Sequence, residues 1–124
     1  MELIERLIHW FRGIPQPPFR LMISLTSRCN LHCKFCDKWR IKKKERLKRN
    51  HVIRLIREAK KLGVREIHFS GGGEPFLRKR ILLEAMKKVK EYGMKGMVVT
   101  NGTLLERKDL EKLIHVKWTQ LILV

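Results

Sequence analysis

The strongest constraint in this sequence is an alternation of short apolar runs with longer segments whose apolar residues recur every three or four positions. Four runs read as strands: Phe19 to Thr26, Val64 to Ser70, Met97 to Thr100 and Trp118 to Val124. Each is short and bounded by polar or turn residues, as buried strands are. Helical patterns lie between them. Val52, Leu55, Ile56, Ala59 and Leu62 share one helical face, with Asn50 placed to cap the start and Gly63 the end. Leu82, Ala85, Met86 and Val89 do the same within residues 80–92, which Gly93 closes, and a third helix runs from Leu105 to Ile114. An amphipathic stripe of Leu3, Ile4, Leu7, Ile8 and Phe11 precedes the first strand and ends at Gly13, Pro15, Pro17 and Pro18. The predicted order is helix, then β-α-β-α-β-α-β. Such a chain is α/β with parallel strands, because a helix-length crossover returns the chain to the same end of the sheet. Residues 1–18 are expected to form a helix and proline-rich linker, and residues 19–124 the sheet unit.

At 124 residues the chain has room for one core at most, since domains usually take roughly 100–200 residues. A hydrophobic share of 44% argues against disorder. No stretch approaches the roughly 20 apolar residues of a membrane span, and Met1-Glu2-Leu3-Ile4-Glu5 is acidic where a secretory leader is basic. A soluble cytoplasmic protein with no membrane partner is therefore expected. The charge is lopsided: 29 Lys and Arg against 12 Asp and Glu give +17. Lys38 to Lys61 alone holds twelve bases against Glu45 and Glu58, a local balance of +10. Such a face supplies the sequence-independent part of nucleic-acid binding. It is also what a solvated, lysine-rich helix presents, and the second reading is favoured because no repeating pattern of stacking aromatic residues interleaves the lysines. The N-terminal stripe carries acids as well as bases and is expected to pack beneath the sheet.

Parallel sheets of this kind carry ligands at the C-terminal ends of their strands. The unusual residues fall there: Cys29, Cys33 and Cys36 after the first strand, Gly71 to Pro75 after the second, Thr100-Asn101-Gly102 after the third. Three crowded cysteines cannot build a disulfide framework, so metal or redox chemistry is indicated. The number three is informative, because a structural zinc takes four protein ligands and most iron–sulfur clusters are held by four cysteines. Three cysteines on a four-iron cubane leave one iron open to a small molecule, which is what a catalytic centre needs.

With Cys29-x3-Cys33-x2-Cys36, the aromatic Phe35 just before the third cysteine, Gly72-Gly73-Glu74-Pro75 and Thr100-Asn101-Gly102-Thr103-Leu104-Leu105, the sequence resembles the radical S-adenosylmethionine (SAM) superfamily. The matches cover about residues 20–120 in the family's order. The resemblance implies a partial (β/α) TIM-barrel-like fold of about four parallel strands, a truncated radical SAM core. It implies that Cys29, Cys33 and Cys36 hold a [4Fe–4S] cluster whose unique iron chelates the amino and carboxylate groups of SAM. An electron, supplied by an external donor, then cleaves SAM to methionine and a 5′-deoxyadenosyl radical. Gly72, Gly73 and Glu74 would bind the SAM amino group, glycines allowing close backbone approach and a carboxylate suiting an ammonium. Phe35 and Asn101 are further candidate cofactor contacts.

Plainer readings stand beside these. The cysteines are also compatible with zinc completed by His32 or His51, the glycine triplet with a strand–helix turn, and Asn101-Gly102 with a simple turn. A full barrel of βα units needs roughly twice this length, so a truncated product, or half of a split enzyme completed by a second chain, is expected. The other classes are a non-enzymatic iron–sulfur or zinc protein and a basic RNA-binding module with a structural metal loop.

Overall fold

The structure is a computed structural model describing residues 3–42, 45 and 47–124, so Lys43, Lys44 and Arg46 of the basic segment lie outside the described residues. The elements are α1 (Leu3–Phe11), β1 (Arg20–Ile23), α2 (Arg49–Lys61), β2 (Glu66–Phe69), α3 (Lys79–Glu91), β3 (Lys95–Thr100), α4 (Arg107–His115) and β4 (Gln120–Leu123). The four strands form one parallel sheet in the order β1-β2-β3-β4. Each strand sits beside its sequence neighbour, so the order never reverses. That is the winding of a barrel wall and not of a doubly wound sheet.

Because strand side chains alternate, each strand divides between two faces. Leu21, Ile67, Gly96, and then Ile23, Phe69, Val98 and Leu121, are in register on one face. There they meet Val52, Ile56 and Ala59 of α2 and Leu82, Ala85, Met86 and Val89 of α3 in a continuous core. The opposite face is different. Arg20, Glu66 and Lys95 form its lowest layer, and Met22, His68, Met97 and Gln120 the next. Arg20 Nη2 lies 2.9 Å from Glu66 Oε2, and His68 Nε2 lies 3.2 Å from the same oxygen. Burial works to raise the Glu66 pKa, but the Arg20 guanidinium and then His68 hold it below the usual carboxylate range. A parallel sheet covered by helices on both faces is apolar on both. This face is therefore the one that no helix covers.

The boundaries differ from the sequence expectation where tertiary contacts decide. Ser24 to Thr26 leave the ladder after Ile23, because the Thr26 carbonyl accepts from Gly73 N at 2.8 Å. At Gly96 a Cβ would lie 2.0 Å from the ring of Trp118, whose indole stacks on Phe69 with centroids 6.1 Å apart. Trp118 is thus a core plug and β4 begins two residues later. Helix α2 begins at Arg49, ahead of Asn50, with Lys48 N donating to His51 Nδ1 at 3.2 Å, so Asn50 is not its cap. Leu105 N donates to Gly102 O, closing a turn that delays α4 to Arg107.

The largest departure is α1. The stripe expected to pack beneath the sheet buries no residue, and Leu3, Ile4, Trp10 and Phe11 are exposed. The helix is tethered by Gln16 to the Arg6 carbonyl and by Arg6 over the Phe19 ring at 5.2 Å. Beside it the strands begin with the charged layer of Arg20, Glu66 and Lys95, which offers no apolar seat. Among the described residues no helix is long and apolar enough to cross a membrane.

Candidate cofactor site

The three strand-end loops stand on one rim, as their positions after β1, β2 and β3 require. They are bonded to one another. Gly73 N donates to Thr26 O and Glu74 N to Arg28 O, each at 2.8 Å, so the glycine loop is fastened to the start of the cysteine loop. The glycines make this contact possible. A Cβ at Gly73 would fall 1.6 Å from Arg28 O, and one at Gly72, where φ is +69°, would fall 2.1 Å from Ser24 Oγ and 2.5 Å from Thr26 O. On the Cβ side of these two glycines the neighbour is protein. Gly71, with φ +75°, has nothing within 4 Å of its Cβ position. Among the described residues no hydrogen bond reaches the Gly71 or Gly72 carbonyl.

The structure also changes the reading of Glu74. Its side chain is buried, at 3% exposure. Oε1 accepts from the Thr100 hydroxyl at 2.6 Å and from Phe76 N at 3.0 Å, and Oε2 accepts from Asn101 N at 2.8 Å. With these three donors the carboxylate is a strut between the second and third rim loops, and Oε2, with one donor, keeps acceptor capacity. Asn101, expected as a cofactor contact or a turn residue, reaches the cysteine loop. Its Nδ2 donates to Asn30 Oδ1 at 3.0 Å and lies 3.9 Å from Cys29 Sγ. Asn30, Thr103 and Gly71 were absent from the sequence-level candidates. Their sequence signals are the place of Asn30 next to Cys29, of Gly71 in the glycine run and of Thr103 in the motif after the third strand.

Cys29, Cys33 and Cys36 are free thiols of intermediate exposure. The loop is anchored at its start, where Glu45 accepts from the Thr26 hydroxyl and lies 3.3 Å from Arg28 Nε. Phe35 is 94% exposed. Among the described residues no three His, Cys, Asp or Glu side chains gather to hold one ion. A zinc site needs its ligands within about 2.3 Å of a single point, and His51 is occupied at the start of α2 while His32 lies against Trp39 with centroids 4.6 Å apart. A cubane takes each cysteine on a different iron, so its thiolates need not converge. The donor set of three part-exposed thiols in one loop fits that group. Ser70 Oγ, at the foot of the glycine loop, is buried without a hydrogen-bond partner among the described residues.

The sequence profile described as the Radical SAM superfamily matches residues 23–123. The chain is 39% identical over 99 residues to a "Probable GTP 3',8-cyclase" of Thermococcus kodakarensis, aligning 78% of this chain with 31% of that protein. It is 37% identical over 101 residues to a PqqA peptide cyclase of Granulibacter bethesdensis, with 80% and 26% covered. Among solved structures, Streptococcus suis SuiB bound to S-adenosylmethionine superposes with a TM-score of 0.77 at 25% identity, over 94% of this chain and 27% of that one. BtrN in complex with AdoMet and 2-DOIA shares the fold, with a TM-score of 0.73 at 23% identity over 85% and 44%. The chain spans less than a third of the length of these two curated relatives. Members of this family use a [4Fe–4S] cluster and SAM. A profile match over most of the chain, relatives above 30% identity and a barrel wall with the three motif loops on one rim agree: this chain belongs to the radical SAM superfamily.

Proposed function

We propose that this chain is the part of a radical SAM enzyme that holds the [4Fe–4S] cluster and SAM. The observation that carries this reading is the joining of three rim loops around an open cysteine loop. Cys29, Cys33 and Cys36 are the cluster ligands. The Gly71 and Gly72 carbonyls, free of protein donors, are the acceptors for the SAM ammonium, with Gly73 and Glu74 holding them in place from behind. Exposed Phe35 is available to cover the cofactor. When bound, the pair supplies one-electron reductive cleavage of SAM and, from it, hydrogen-atom abstraction. The electron comes from an external donor. Residues 19–124 form the N-terminal half of the core. Among the described residues β4 pairs with β3 alone, and further strands added at that edge would extend the wall toward a closed barrel. The relatives include a GTP cyclase and a peptide cyclase, and the substrate class is left open between such chemistries.

Anaerobic reconstitution of the chain is expected to give about four irons per chain and a cluster spectrum that shifts on adding SAM. Zinc uptake without iron overturns the reading. Dithionite-driven release of 5′-deoxyadenosine by the chain alone would show that this wall suffices for cleavage; a SAM-responsive cluster without cleavage assigns that step to the completed barrel.

A further inference from the structure

The rim carries a closed ring of side-chain hydrogen bonds whose members have one consistent assignment. Asn101 Oδ1 accepts from Thr103 N at 3.0 Å and from Thr103 Oγ1 at 2.7 Å. Asn30 Nδ2 donates to Thr103 Oγ1 at 2.8 Å, and Asn101 Nδ2 donates to Asn30 Oδ1 at 3.0 Å. The orientation of an asparagine amide follows from its network. Here a backbone N–H, which can only donate, faces one side of the Asn101 amide, so that side is the oxygen. The NH₂ group is thereby directed at the cysteine loop, where it lies 3.9 Å from Cys29 Sγ. From below, the buried Glu74 carboxylate holds Asn101 N at 2.8 Å.

We propose that Asn101 is a positioning residue for the cluster: oriented by Thr103 and Asn30 and supported by Glu74, its amide donates to the Cys29 sulfur, locating that ligand and tuning the centre's reduction potential. A ligating thiolate sulfur is an acceptor. Hydrogen bonds to cluster sulfurs are among the terms that set iron–sulfur potentials, since they stabilise the more negative, reduced state. The chain Gly loop, Glu74, Asn101, Cys29 thus ties the SAM-binding loop to one cluster ligand. The same ring would order the first half of the cysteine loop before any metal arrives. The inference rests on the cluster reading for its redox part and on geometry alone for its ordering part.

The test compares wild-type chain with Asn101→Leu, similar in size but unable to donate, and with Asn30→Ala, which opens the ring while leaving Asn101 in place. In the metal-free chain, amide exchange across residues 28–32 is expected to accelerate several-fold in both variants, as the loss of one hydrogen bond allows. In reconstituted protein, EPR-monitored redox titration is expected to give a more negative midpoint for Asn101→Leu at unchanged iron content, with Asn101→Gln recovering part of the shift. Unchanged exchange and unchanged midpoint in folded variants overturn the proposal. If Asn101→Leu does not fold, the same two readouts on Asn30→Ala decide it. If the wild-type chain takes up no iron, the cluster reading fails, and the metal-free exchange still decides the ordering role.

Discussion

The glycine loop after β2 and the cysteine loop after β1 are neighbours on one rim, yet they are held by different things. In the glycine loop Glu74, Pro75 and Phe76 are buried, and every Glu74 oxygen has a protein donor. Between Cys29 and Cys36, a single backbone hydrogen bond, Cys36 N to Cys33 O at 3.2 Å, is found among the described residues, the thiols are free and Phe35 stands in solvent. Backbone groups without partners in the protein are satisfied by water or by what binds there. One loop is thus a finished part of the fold. The other is held mainly at its start, through Thr26, Arg28, Cys29 and Asn30.

Three substitutions break or sharpen this contrast. Gly73→Ala is expected to have the largest effect, because its Cβ meets the Arg28 carbonyl carbon and oxygen and no rotamer relieves a backbone clash. A loss of about 3 kcal/mol in a denaturant midpoint should accompany failure to take up iron. A variant as stable as wild type would show that the two loops are not clamped together. Glu74→Ala comes next. It orphans the Thr100 hydroxyl and two backbone N–H groups, which should cost about 2 kcal/mol alongside weaker SAM binding. Loss of SAM binding at unchanged stability would instead make Glu74 a direct ligand. Smallest for the fold is Cys33→Ser. Metal-free stability should stay within about 0.5 kcal/mol of wild type, while iron per chain falls steeply on reconstitution. A large stability loss there would mean that the cysteine loop has packing of its own.

Much of this was legible in the chain itself. The four strands and three crossover helices announced themselves by periodicity, and their winding placed three motif loops on one rim before any coordinates. The three cysteines are grouped by the sequence itself, because they share one short loop. What was not legible depended on which groups meet across the fold. Nothing in the sequence says that Gly72 and Gly73 lie against Ser24, Thr26 and Arg28. Nor does the sequence say that Glu74 accepts from Thr100 and Asn101, more than two dozen positions away. The amphipathic α1 had the pattern of a packed helix, and pattern alone does not say whether a seat exists.

The sequence by itself determined the parallel α/β order, the rim and the family, because periodicity and short-range spacing are properties of consecutive residues. Only the tertiary structure decided that the glycine loop is buttressed by its neighbours, that the charged residues Arg20, Glu66 and Lys95 form one layer across the sheet, and that Asn101 leans on Cys29. Those contacts join residues from different strands. Register and loop packing bring them within hydrogen-bond reach, and neither is a property of any single stretch of chain.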